Sequence, residues 1–443
     1  MSLQDALDLR HSGATATALE HFDTALHELQ CYIGDPVASV DRALAAAPAF
    51  VDAHLLRAYL HLLGTEQPAL AAARASWLAA RELPANARER GHLHAVRALC
   101  EGRWHAAGRA LEDVSIDHPT DVLALQAGHL IDFYTGHARM LRDRIARALP
   151  AWSPALPGYH AVLGMHAFGL EETGFYARAE AVGRHAVELE PRDGWAQHAV
   201  AHVMEMQGRA RDGIAWMRGN VSAWSQESFF AVHNWWHWAL FHLDLGETGA
   251  VLALYDAPIR GARSGMVLDM IDAAALLWRL RLRGIDVGER WQELADAWLP
   301  HAAAGNYAFN DVHAAMAFVG ADRREALATL AAAQAEAERS DDDNAAFTRE
   351  VGRPLTQALL AFAAGDYRRV VEALRPLRPH AQRFGGSHAQ RDLIDLTLIE
   401  AALRDGEAAL ARALVAERLD LKPDSPANRA LAARAAPRVA ATA

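Results

Sequence analysis

Residues 160–191 read HAVLGMHAFGLEETGFYARAEAVGRHAVELEP, and their spacing decides the fold. Leu163, His166, Ala167 and Leu170 recur at the three- and four-residue steps that place side chains on one face of a helix. Gly174 then supplies a turn, and Ala179, Gly183 and Ala186 repeat the pattern on a second helix, which Pro191 closes. A small residue at the contact positions lets the two helices approach closely. The segment therefore predicts a helix, a glycine-centred turn and an antiparallel second helix.

The same grid recurs along the chain. It fits Gln197, Val200, Ala201 and Met204 before Gly208, and Trp235, Trp238, Ala239 and His242 before Gly246. It fits Asp395, Leu398, Ile399 and Ala402, then Gly406, Ala411, Val415 and Pro423. Weaker copies run from Asp52 to Gly64, with a helix following over 69–81, and from Leu355 to Gly365, leading into a helix over 366–375. This is the tetratricopeptide pattern, and at about 34 to 45 residues per helix pair the chain holds roughly ten to twelve units. No segment shows the alternation of a strand, and Ala, Leu, Arg and Glu dominate. The expected architecture is all-α, a right-handed superhelical solenoid forming a single domain over 1–443, with 426–443 as a capping or frayed tail.

Composition bounds the function. The hydrophobic fraction of 52% is ample for a large core, and the formal net charge of -11 argues against nucleic acid or an anionic membrane as partner. Lys422 is the single lysine, so the cationic groups are almost all guanidinium forks suited to carboxylate or phosphate, although GC-rich coding explains the bias equally well. Cys31 and Cys100 lie in no metal or redox motif. The opening MSLQDALDLRHSG has neither a basic start nor an apolar run, and no apolar stretch approaches the roughly 20 residues that span a bilayer. A soluble, cytoplasmic protein with no membrane partner is expected; the oligomeric state is left open.

The helix over 194–207 is the most informative about chemistry. At about 100° per residue, Trp195, His198, His202 and Glu205 fall within an arc of about 80°, away from the packing positions. In a solenoid of this kind that arc lines the concave groove. His198, His202 and Glu205 therefore form a candidate set for a divalent metal, with Glu205 as ligand or general base; the alternative is polar recognition of a ligand by hydrogen bonds. In the next repeat, Trp235 and Trp238 read as packing residues, whereas His233 and Trp236 face the groove, Trp236 as a ligand platform, and His237 lies at its edge. His166 falls on a packing position and reads as a core histidine.

Two further clusters place polar groups among apolar ones. Asp311 and His313 interrupt the run FNDVHAAM over 309–316 and, two residues apart, cannot share one helix face. In GGSHAQRD over 385–392, Ser387 and Gln390 form a capping box that starts a helix. His388 and Arg391 follow at a helix amino terminus, which makes them candidates for anion binding. The acidic run Asp341–Asp343 reads as a solvated turn.

The strings His198-Ala-Val-Ala-His202-Val-Met-Glu205, Asn234-Trp-Trp-His237-Trp, Asn310-Asp311-Val-His313-Ala and Gly385-Gly386-Ser387-His388-Ala-Gln390-Arg391-Asp392 give the chain a resemblance to the tetratricopeptide repeat protein 38 family, from about Ala18 onward. That resemblance implies the repeat fold and a cytosolic location, and carries no settled activity. The first functional expectation is a scaffold that binds a peptide or a small polar, acidic ligand in a groove lined by His and Trp. The alternative is an enzyme, a hydrolase or lyase, with His202, Glu205, His237, His313 and Asp311 as catalytic groups in an enclosed pocket. Trp195, His198, His233, Trp236, His388 and Arg391 are the ligand-binding candidates of either.

Overall fold

The computed structural model describes residues 2–436. The chain is an all-α array of antiparallel helix pairs, as the spacing predicts. The decisive segment forms helices Tyr159–Glu171 and Tyr176–Leu189, joined through Gly174 at φ 82°. Gly183 is where the small residue is needed, since a Cβ there would lie 2.6 Å from Cγ2 of Val200. Glu190, extended ahead of Pro191, ends the pair. The weaker copies are present too, as Val51–Leu62 with Leu70–Arg81 and Arg353–Ala363 with Tyr367–Leu377.

The residues fall into two compact units. The first comprises Met1–Val203, Asn220–Asn234 and Asp341–Asn344; the second comprises Met204–Gly219, Trp235–Ser340 and Ala345–Ala443. Helices Gly194–Met206 and Ala231–Asp244 contribute to both.

In the first unit the absence of strands does not hold. Ser2–Gln4 and Arg10–Ser12 form a small antiparallel hairpin, too short to register as an alternating pattern. Its His11 reaches inward to a buried charge network. His11 Nδ1 lies 2.6 Å from Asp52, and Arg88 bridges Asp52 and Asp121 at 2.5 and 2.8 Å. His92 contacts Asp121 at 2.9 Å, and Tyr59 meets His92 at 3.0 Å. Burial works against the Asp52 carboxylate, but Arg88 and His11 outweigh it and hold its pKa below the ordinary value. The acidic run is not wholly solvated either, because Asp343 accepts a 2.8 Å bond from the backbone N–H of His105.

In the second unit, helix Val267–Leu282 is buried on almost every side and packs against Ala308–Gly320 and His388–Asp405. The latter begins with the predicted Ser387/Gln390 capping box and ends at Gly406, φ 82°. Helix Pro426–Ala435 closes the described chain; the rest of the tail, 437–443, lies outside the described residues. Both cysteines are free and buried. Among the described residues no helix is long and apolar enough to cross a membrane.

Candidate functional site

The histidine face does not line an open groove. Trp195, His198, His202, His233, Trp236 and His237 are all buried, because aromatic residues of adjoining helices fill the arc that a single helical wheel leaves free. In the first unit, Tyr32 stacks on Trp195 with centroids 5.6 Å apart. Phe168 stacks on His198, and Phe230 lies against both His198 and His233.

Within this apolar enclosure His198 and His233 approach to 3.1 Å between their Nε2 atoms. His202 is one helical turn from His198, with ring centroids 4.3 Å apart. One ring nitrogen from each of the three lies within 4.8 Å of the others. Nδ1 of His202 also lies 3.5 Å from the buried carboxylate of Glu171. The metal set read from the sequence is therefore corrected in one member. His233 joins His198 and His202, whereas Glu205 is engaged elsewhere, by His237 at 3.1 Å and by Lys422 at 4.0 Å. Glu205 lies seven residues beyond His198, and its side chain is directed to partners of the second unit.

Glu205 and Lys422 border a cavity of about 280 Å³ in the second unit, whose lining also includes Asp244, Arg279, Arg283 and Arg418. Most of its charges are matched. Arg418 holds Asp392 with both terminal nitrogens, Arg434 reaches Glu400 at 2.8 Å, and Ser425 donates to Asp244. Burial raises the pKa of Asp392, but Arg418 overcomes it and holds the carboxyl down to about 2.

Arg279 is the exception. It is 3% exposed and lies 5.3 Å over the ring of Trp236. Its hydrogen bonds go to backbone carbonyls, Ala275 at 3.1 Å and Ala389 at 2.7 Å. The other buried arginines, Arg88, Arg144 and Arg260, each hold a carboxylate, whereas among the described residues no carboxylate pairs with Arg279. Burial pulls its pKa below the ordinary value, opposed by the fields of Asp392 and Glu205; an arginine nevertheless keeps its charge. Arg283, also on the lining, likewise donates to a carbonyl, that of Leu243 at 2.6 Å. A positively charged floor with hydrogen-bonding capacity beyond two carbonyls is suited to an anion.

The remaining candidates are placed otherwise. Trp236 is not an exposed platform, since its ring is fully buried and covered by Arg279; Trp235 and Trp238, read as packing residues, are the half-buried pair and stack at 5.0 Å. Asp311 and His313 are both buried in helix Ala308–Gly320 and do not line the cavity. Burial lifts the Asp311 carboxyl to about 7 and lowers His313 to about 4, with His313 Nδ1 2.8 Å from the carbonyl of Phe309. His388 is exposed, and Arg391 turns back to the carbonyl of Gly386, so neither is among the cavity-lining residues. Arg279 and Arg283 were missed. Their signal is the run Trp278-Arg279-Leu-Arg-Leu-Arg283 at the end of an apolar helix.

No family model matches the sequence. Solved structures similar over nearly the whole chain include a monomeric mutant of IFIT1 with Gppp-AAAA, at 13% identity and TM-score 0.41, covering 95% of each chain. Others are the APC/C hetero-tetramer Cut9–Hcn1, at 12% and 0.32 over 95% of this chain and 96% of that one, and the yeast Tom70, at 13% and 0.33 over 94% and 88%. Such distant likeness does not identify a ligand. One expectation is corrected all the same: the Gppp-AAAA in the IFIT1 structure overturns the exclusion of nucleic acid from net charge. Net charge sums over a whole surface, whereas a phosphate is held by a few local donors.

Proposed function

We propose that this protein is a helical-repeat binding protein for a small organic anion, a carboxylate or phosphate ester, held in the second unit by Arg279 with Arg283 and Lys422 at hand. The observation that carries this reading is the carboxylate-free, buried guanidinium of Arg279 on the lining of a cavity. Burying a charge costs several kcal/mol unless a counter-charge and hydrogen bonds offset it, on the order given for buried ions. Two carbonyls and the face of Trp236 offset part of that cost; a bound anion would supply the rest. A cavity of about 280 Å³ accommodates a head group or a compact metabolite better than a folded partner. The finer readings, membership of the tetratricopeptide repeat protein 38 family and residence in the cytoplasm, accompany this proposal and rest on the sequence strings alone.

The test is calorimetric titration with inorganic phosphate and with succinate, on the parent and on Arg279→Met. Binding of at least one probe by the parent, weakened tenfold or more in the variant, is the expected result. Equal binding by both proteins, or none by the parent, would remove Arg279 from the site.

A further inference from the structure

We propose that His198, His202 and His233 form a binding site for a divalent transition-metal ion of the zinc class, separate from the anion cavity. Three imidazoles from two helices converge, with one ring nitrogen of each within 4.8 Å of the others. The 3.1 Å between Nε2 of His198 and Nε2 of His233 is close to the roughly 3.3 Å that separates two nitrogens bound at about 2.0–2.1 Å to one tetrahedral zinc. His198 and His202, four residues apart, present their rings from one helix face, the spacing by which a single helix supplies two ligands.

A carboxylate stands within reach of His202. Glu171, buried, lies 3.5 Å from Nδ1 of His202, the position from which a carboxylate fixes the tautomer and makes Nε2 the ligand atom. Neutral imidazoles without thiolate suit zinc, cobalt or copper rather than calcium or magnesium. Trp195 stands at that enclosure, its ring 5.1 Å from His198, and its buried Nε1 donor has no acceptor among the described residues. An oxygen brought in with the ion would be the acceptor such a donor needs.

Of the other clusters in the first unit, Glu171, Glu172 and His202 share His202 with this site, and His27, Cys31 and His160 form the separate competitor. It is the weaker, because His27 is exposed and burial pushes the Cys31 thiol well above its ordinary pKa, which disfavours the thiolate ligand.

The experiment is titration of the full chain, purified without a histidine tag and stripped with a chelator, with Co²⁺ followed by visible absorption and then displacement by Zn²⁺. One ion per chain, with a tetrahedral Co²⁺ spectrum free of thiolate charge transfer, is expected. His233→Ala and His198→Ala should each weaken binding a hundredfold or more, Glu171→Gln about tenfold with a shifted spectrum, and Glu205→Gln and Cys31→Ser not at all. Circular dichroism keeps the result interpretable, since only folded variants are compared, and His233→Gln serves if His233→Ala does not fold. No Co²⁺ bound by the folded parent would overturn the proposal and leave the trio as a chain of imidazole hydrogen bonds. Binding that survives His233→Ala but is lost in Cys31→Ser would overturn it as well, by moving the ion to the competing cluster.

Discussion

Arg88 in the first unit and Arg279 in the second are both buried cations, and they are solved in opposite ways. Arg88 is matched: Asp52 and Asp121 grip it, and His11 and His92 grip those carboxylates, so that each charge is enclosed by its opposite. Arg279 has carbonyls and an aromatic face but no carboxylate partner, and it borders a cavity. Asp311 shows why this matters. A buried carboxyl can escape its charge by taking up a proton, as its pKa of about 7 shows, whereas a guanidinium cannot shed its own. A matched network reads as architecture; a buried permanent charge left open reads as a place for something else.

The sharpest way to break this contrast is to remove each cation. Arg88→Met should cost about 3–5 kcal/mol in chemical denaturation, because it strands two buried carboxylates. Arg279→Met should stay within about 1 kcal/mol of the parent, since it strands only carbonyls. A reversal of that order would erase the distinction.

Asp311→Asn is next. The folded pKa of about 7 stands above the ordinary carboxyl value of 3.8, so Asp311's contribution is fully present below pH 3.8 and is lost as pH rises through 7. The variant should match the parent near pH 4 and exceed it at pH 8 by up to about 4 kcal/mol. An equal difference at both pH values would mean that the carboxyl does not titrate in this range.

His11 tests the matched network. Burial alone would lower its pKa, but Asp5 and Asp52 raise it to about 9. Its contribution is therefore present below pH 6.5 and lost as pH rises through 9, by roughly 3 kcal/mol for a shift of this size. His11→Gln should flatten the stability profile between those limits; a profile as steep as the parent's would place the titration elsewhere. The smallest effect belongs to His388→Ala, an exposed side chain, which should change stability by less than about 0.5 kcal/mol and leave phosphate binding intact. Loss of binding there would return the anion site to the helix terminus.

The helix pairs were legible because their signals are local: Gly174 and Gly406 at left-handed turns, Gly183 at a close contact, and the Ser387/Gln390 cap. The proximity of His198 and His202 followed from helix spacing for the same reason. Burial was not legible. A helical wheel treats one helix alone, and it could not show that Phe168, Tyr32 and Phe230 fill the space in front of the histidines. His233 as the third member, and the isolation of Arg279, depend on contacts between helices distant in sequence. The run of alternating arginines to Arg283 looks like a solvated edge until Arg279 is seen to point inward.

The amino-terminal hairpin has a consequence for how the chain is made. Leu7 offers its carbonyl to Thr120, Ser12 donates to Glu89, and His11 waits for Asp52. These hairpin residues therefore gain the last of their partners only after about a hundred further residues have been synthesised. During that interval the hairpin lacks these partners and is open to proteases and chaperones. A substitution that weakens these contacts would act at that late closing step, and would show as slower maturation before it showed as a less stable product.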